Sequence, residues 1–153
     1  MQTTEPIIRI SIRDQRLDLV SGDKVLATYP VSTSRFGLGS EPGSLKTPLG
    51  HFRVAEKIGD DMPLGTVFLG RVPLGPDDPL PETEDLITSR ILWLDGLEGH
   101  NANTRDRFIY IHGTRHEDQV GQPASHGCVR MRNVDIVDLF QRVPLGAQVL
   151  IET

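Results

Sequence analysis

At 153 residues, with 37% hydrophobic and 24% charged side chains and a net charge of −5, the chain reads as a single domain, 1–153, able to bury a core without disulfides or metals. It has no basic stripe or aromatic–basic platform of the kind that binds nucleic acid, and no apolar run long enough to span a bilayer. Its one cysteine excludes an intramolecular disulfide.

Ile8, Ile10 and Ile12 alternate with polar residues and predict a half-buried strand. Leu17 and Leu19 resume the alternation, Ser21-Gly22-Asp23 supplies turn chemistry, and 24–31 is rich in β formers, so the chain opens as an antiparallel meander. A polar, glycine-rich loop covers 32–46, and Thr47-Pro48-Leu49-Gly50 turns into a strand over 51–55. After a loop at 59–66, residues 67–72 form a short apolar run. Pro73, Pro76, Pro79 and Pro81 are then mixed with acidic residues. Proline removes backbone donors, so 73–88 is expected to be a long surface loop, either a lid over a site or a solvated insertion.

Residues 89–94 and 108–112 are two further apolar runs, separated by a loop over 95–107. The one convincing helix follows Cys128. Asn133 is the expected N-cap, Asp135 suits the positive first turn, and Ile136, Leu139, Phe140 and Val143 form an i, i+3, i+4, i+7 stripe. Pro144 and Gly146 stop it, and 149–151 reads as a terminal strand. The expected fold is mainly β, a sandwich or mixed sheet with one short helix packed on it.

The chemistry concentrates in 109–132, which holds the only cysteine, Cys128, and three of the five histidines. A lone cysteine is most often a small buried hydrophobe. Cys128, however, sits in the turn Ser125-His126-Gly127-Cys128, whose small and polar residues favour presenting a side chain, and a helix start follows closely. Backbone amides near such a turn can stabilise a thiolate and a developing oxyanion. His112 ends an apolar run and is followed by Gly113, a good place for a base lining a cleft. His112, His116, His126 and Cys128 also permit a zinc reading. It is disfavoured, because His112 and His116 are four apart where no helix is expected and no CxxC or HExxH pattern is present. Arg130, Arg132 and Arg115 lie near the thiol, where arginines bind a carboxylate or phosphate in bidentate fashion or pair with neighbouring acids; Arg130 is the first candidate.

His112-Gly113-Thr114 followed by Ser125-His126-Gly127-Cys128-Val129-Arg130-Met131 resembles the signature of L,D-transpeptidase catalytic domains of the YkuD type. The N-terminal meander, Val31-Ser32-Thr33-Ser34 and Thr47-Pro48-Leu49-Gly50 agree with it, so the likeness covers essentially the whole chain. It implies a β-rich fold whose cysteine attacks a peptidoglycan stem peptide at the bond between the L-centre of the third residue, usually meso-diaminopimelate, and a terminal D-alanine. By motif, Cys128 is the nucleophile and His112 the general base. His126 and Ser125 shape the turn, and the amides of Gly127 and Cys128 are oxyanion donors. Arg130, Tyr110 and Gly113 are substrate-binding candidates; some family motifs carry Asn where this chain has Arg130. No metal or cofactor is implied, and the partner is a peptidoglycan tetrapeptide or muropeptide.

The first fifteen residues show no basic n-region followed by an apolar h-region, so an export signal is not expected. Relatives of this kind with a stretch similar to Ser89-Arg90-Ile91-Leu92-Trp93-Leu94 resemble cytoplasmic L,D-carboxypeptidases that trim recycled tetrapeptides to tripeptides. The expectation is therefore a cytoplasmic hydrolase of murein recycling. The alternatives are a periplasmic L,D-transpeptidase whose leader has been removed and, in another class, a non-catalytic wall-peptide binding module.

Overall fold

The computed structural model describes residues 5–83 and 85–153. Among them, ten strands join in one mixed sheet: β1 (Ile7–Ser11), β2 (Arg16–Ser21), β3 (Lys24–Pro30), β4 (Gly50–Ile58), β5 (Val67–Leu69), β6 (Val72–Pro73), β7 (Ile87–Gly96), β8 (Tyr110–Gly113), β9 (Val129–Met131) and β10 (Gln148–Glu152). The order is β3-β2-β1-β10-β4-β7-β5-β6, with β8 paired to β7 and β9 to β8. The one α-helix among the described residues is α1 (Asn133–Arg142). The fold is mainly β, as the alternating patterns require.

The opening meander forms as expected, with Ile8 facing Leu19 and Ile10 facing Leu17 in an antiparallel pair. These four side chains are fully buried. Val149 and Ile151 of the terminal strand are buried beside them, because β10 inserts parallel to β1 and antiparallel to β4. Burying each such side chain contributes about 1.5–3 kcal/mol, enough to fix the register of a chain end.

Four details differ from the pattern. The run 67–72 is a small hairpin, β5–β6, with Gly70 at φ 62° in its turn. Strand β7 extends to ten residues because β4, β5 and β8 pair along it and bury it, which is why its centre, 91–94, reads as an unbroken apolar run. A strand the sequence reading missed, β9, lies between Cys128 and the helix. Asn133 is the first helical residue and not the N-cap: Arg132 takes that place without a side-chain cap bond. The Asn133 N–H donates instead to Glu117 Oε2 at 2.9 Å, so a remote carboxylate caps the helix.

Helix α1 packs on β7 and β8 through Ile136, Leu139 and Phe140. Lys57 of β4 closes its other end. Its Nζ donates to Phe140 O at 2.6 Å and Val143 O at 2.7 Å and lies 4.3 Å from the centre of the Phe140 ring. Carbonyls that have no helical partner thus receive a cation.

Candidate active site

The Ser125–Cys128 turn is clamped from two sides. Strand β9, which follows it, runs parallel to β8 with Ile111 facing Val129 and His112 facing Arg130. On the other side, Ser32 N–H donates to Arg130 O at 2.9 Å and Arg130 N–H to Ser32 O at 2.8 Å, while Ser125 N–H reaches Thr33 O at 2.9 Å. The Ser32-Thr33-Ser34 segment, all buried, therefore acts as a second rail for the turn. Within the turn, Ser125 Oγ donates to Cys128 O at 2.6 Å and accepts the Gly127 N–H at 3.2 Å. Thr47 Oγ1 donates to Gly127 O at 2.9 Å, which gives the TPLG motif its place in the site. Gly127 has φ 125°, a backbone conformation that side-chain-bearing residues rarely adopt.

Residues facing each other in a parallel pair share a face of the sheet. The register therefore puts His112 and Arg130 on one face, alternation along β8 adds Tyr110, and Cys128, just before β9, packs against Tyr110. Tyr110 N–H donates to Cys128 Sγ at 3.3 Å, and the thiol donates to Phe108 O at 3.3 Å. The thiol is only partly exposed, and burial pushes it up to about 12, with Asp85 adding to the rise and Arg130 and Arg107 opposing it. His112 is fully buried. Desolvation holds its imidazole below the ordinary value of 6.5, against the opposing pull of Asp85. Burial thus favours the uncharged form of both groups, thiol and imidazole.

His112 Nδ1 lies 2.6 Å from Gly113 O. A carbonyl can only accept, so Nδ1 carries the hydrogen and Nε2 presents its lone pair. Nε2 is buried and has no hydrogen-bond partner among the described residues. The structure thus supplies the group that orients His112, which the sequence reading left open. Gly113 is buried, and a Cβ there would come within 2.5 Å of Thr88 O and 2.7 Å of Asn133 Oδ1. Asn133 Oδ1 also accepts from Thr88 Oγ1 at 2.5 Å and Ser89 Oγ at 2.6 Å, and its Nδ2 donates to Thr114 O at 3.0 Å. The residue expected to cap the helix instead ties β7 to the segment behind the imidazole.

Arg130 is buried, its side chain 2% exposed, and it already holds a carboxylate: Nε lies 2.8 Å from Asp85 Oδ1, and Nη1 donates to Gln119 Oε1 at 3.1 Å. Asp85 belongs to the proline-rich loop, and its second oxygen lies 3.8 Å from His126 Nδ1. Arg35 Nη2 lies 3.0 Å from His126 Nε2. A cavity of about 770 Å³ opens beside these groups, lined by Arg35, Arg115, His116, Gln119, His126 and Arg130 among others. Arg132, at the helix N-cap, does not line it. Among the described residues, no group of three or more His, Cys, Asp or Glu side chains converges as a metal site, so the four residues of the zinc reading do not form a ligand set.

On the thiol's other flank stands an aromatic wall. Trp93 meets Tyr110 edge-on at 5.7 Å and Phe108 at 5.9 Å, and Arg71 lies 4.9 Å from the Trp93 ring centre and donates to Tyr110 Oη at 3.3 Å. Asp85, Arg71 and Arg107 were not singled out from the sequence, and Asn133 only as a helix cap. Asp85 is one of several acids in its loop, and nothing local distinguishes it from Asp77, Asp78 or Glu82.

The comparisons with known proteins point one way. Residues 5–151 match the family model YkuD, the L,D-transpeptidase catalytic domain. YqjB of Bacillus subtilis (strain 168), named for L,D-transpeptidase activity, is 32% identical over 148 residues, which cover 96% of this chain and 71% of that one. YbiS of Escherichia coli (strain K12), similarly named, is 38% identical over 78 residues, covering 51% of this chain and 20% of that one. Two solved structures share the fold: an L,D-transpeptidase from Mycobacterium smegmatis with a TM-score of 0.65 at 16% identity, and one from Xylanimonas cellulosilytica with a TM-score of 0.65 at 20% identity. They are covered over 59% and 62% of their lengths by 98% and 99% of this chain. With the Ser-His-Gly-Cys turn, the oriented histidine and a family match across nearly every residue, the chain belongs to the L,D-transpeptidase (YkuD) catalytic-domain family.

Proposed function

We propose that the protein acts on peptidoglycan stem peptides through a Cys128 acyl-enzyme, cleaving the bond between the L-centre of the third residue and a terminal D-alanine. The observation that carries this reading is His112: a buried imidazole fixed by Gly113 O, its Nε2 without a partner among the described residues, on the sheet face it shares with Tyr110, against which the only thiol packs. Rotation about the Cys128 Cα–Cβ bond releases Sγ from Phe108 O towards that nitrogen. Nε2 takes the thiol proton and the thiolate attacks the carbonyl carbon. The Gly127 amide already donates to Ser125 Oγ, so the Cys128 amide is the first candidate of the two to stabilise the oxyanion. Collapse breaks the C–N bond, the imidazolium returns its proton to the departing D-alanine amine, and a thioester remains.

Water is the acceptor in the first reading, giving an L,D-carboxypeptidase that yields tripeptide in murein recycling; a cytoplasmic setting belongs with it. Transfer to an amine, in the periplasm, is the second reading, favoured by the L,D-transpeptidase names of the relatives. A non-catalytic binding module needs neither a thiol nor an oriented base. Incubation with a tetrapeptide, with and without an amine acceptor, followed by mass spectrometry, separates the three. D-Alanine loss in wild type but not in Cys128→Ala supports the acyl-enzyme, with tripeptide indicating hydrolysis and a dimer or amide indicating transfer. Equal release by both proteins, or none by wild type, overturns it.

A further inference from the structure

Two cations act on the Cys128 thiol, Arg130 and Arg107, and their charges are not equally free. Arg130 lies 2.8 Å from Asp85, whose charge acts on the thiol in the opposite sense, so the two offset each other there. Arg107 has no ion-pair partner among the described residues. Its half-buried guanidinium donates to oxygens without formal charge: Gly39 O at 3.3 Å, Ser44 Oγ at 3.4 Å and Lys46 O at 2.8 Å. Glu41, in the same loop, acts on it only from beyond ion-pair distance. The other titratable groups around the thiol are Tyr110, whose N–H the sulfur accepts, His112, and His126, which faces Asp85 and Arg35.

Arg107 also stands where it can hold the nucleophile in place. Its own N–H donates to Asn103 O and that of Phe108 to Arg105 O, both at 3.0 Å, closing a turn before β8. The turn leaves Phe108 at φ 57°, which a residue with a side chain seldom adopts, and its carbonyl accepts the thiol at 3.3 Å. At the other end of the Arg107 side chain, Lys46 O lies 3.4 Å from where a Cβ on Gly127 would stand, and the next residue, Thr47, holds Gly127 O. One side chain thus links the carbonyl on the thiol to the loop that flanks the nucleophile turn. We propose that Arg107 is a positioning residue of the reaction: it fixes the Phe108 carbonyl and the 44–47 segment against Cys128 and lends the forming thiolate an unpaired positive charge. The proton still passes from Sγ to His112 Nε2; Arg107 neither gives nor takes one. Its part in turnover rests on the acyl-enzyme reading, whereas its effect on the thiol does not.

Cys128 is the only cysteine, so alkylation by iodoacetamide at a fixed alkaline pH reads one thiol, at a rate that follows the thiolate fraction. Arg107→Gln removes the charge and keeps a donor, Arg107→Met removes both and keeps the stem, and Arg107→Lys keeps the charge but loses the planar fork. Alkylation should be about tenfold slower with Gln or Met, the effect of losing one opposite charge near a thiol, and within about twofold of wild type with Lys. A merely structural arginine would slow all three alike. Wild-type rates in both uncharged variants, or equal slowing in all three, overturns the assignment. D-Alanine release is measured beside it, with kcat expected to fall in the Gln and Met variants while KM holds. Absence of release by wild type counts against the acyl-enzyme reading alone, because alkylation needs no substrate.

Discussion

Asp85 Oδ1 lies 2.8 Å from Arg130 Nε, joining the proline-rich loop to the strand that follows the nucleophile turn. Arg130 is 2% exposed and Asp85 19%, so the pair is far more buried than a surface salt bridge. Its second oxygen faces His126, and its charge reaches both His112 and Cys128. The loop is thereby tied electrostatically to the site it borders.

Asp85→Asn should leave a buried guanidinium without its counter-charge and cost about 3 kcal/mol in urea denaturation. The same substitution removes a negative charge that raises the thiol and the imidazole together. Alkylation of Cys128 by iodoacetamide at a fixed alkaline pH should therefore become faster than in wild type. The acidic limb of the activity profile should move to lower pH.

His112 must be neutral to accept a proton, and burial holds it below 6.5. The acidic limb of kcat/KM in wild type should accordingly lie below 6.5. Linkage has the same sign: the unfolded chain takes up this proton first as pH falls, so the stability due to neutral His112 is full above 6.5 and declines below it. Denaturation of wild type and His112→Gln across that window should show a pH slope in wild type that is smaller in the variant. His112→Gln should also lower kcat by roughly 10²–10⁴.

Asn133→Ala separates two roles. Loss of a simple helix cap would cost about 1 kcal/mol. Asn133 instead accepts from Thr88 and Ser89 and donates to Thr114, so its removal leaves two hydroxyls without their acceptor and one carbonyl without its donor. The expected loss is about 2–4 kcal/mol in chemical denaturation. Asn133→Asp, which keeps the acceptor but not the donor, should fall between.

Lys57→Met keeps the aliphatic stem of the side chain and removes the cation on the Phe140 and Val143 carbonyls. About 1–3 kcal/mol should be lost, the worth of hydrogen bonds from a charged donor. Amide exchange should accelerate first in the last turn of α1.

The strands and the helix were legible because burial imposes a period on the sequence. Ile8, Ile10, Leu17 and Leu19 alternate since one face of the meander lies on the core, and Ile136, Leu139 and Phe140 recur at helical spacing for the same reason. Strand β9 was not legible: Val129, Arg130 and Met131 are too few to show a period, and a buried arginine at the centre of the run reads as exposed. The role of Asn133 was misread because a residue suited to a helix start is equally suited to bridging three hydroxyl and carbonyl groups.

The sequence by itself determined the pieces whose cause is local: the turn around Cys128, the helix stripe, the meander and the core of the proline loop, although Pro73 and residues 87–88 at its ends join strands β6 and β7. Only the tertiary structure decided the partners. The parallel pairing of β8 with β9 sets His112 opposite Arg130, two residues from Cys128. Gly113 O chooses the imidazole tautomer, and Asp85 crosses 45 residues to reach Arg130. These relations depend on which distant groups share a desolvated space, where a lone charge is costly and a paired one is fixed. No local spacing records that.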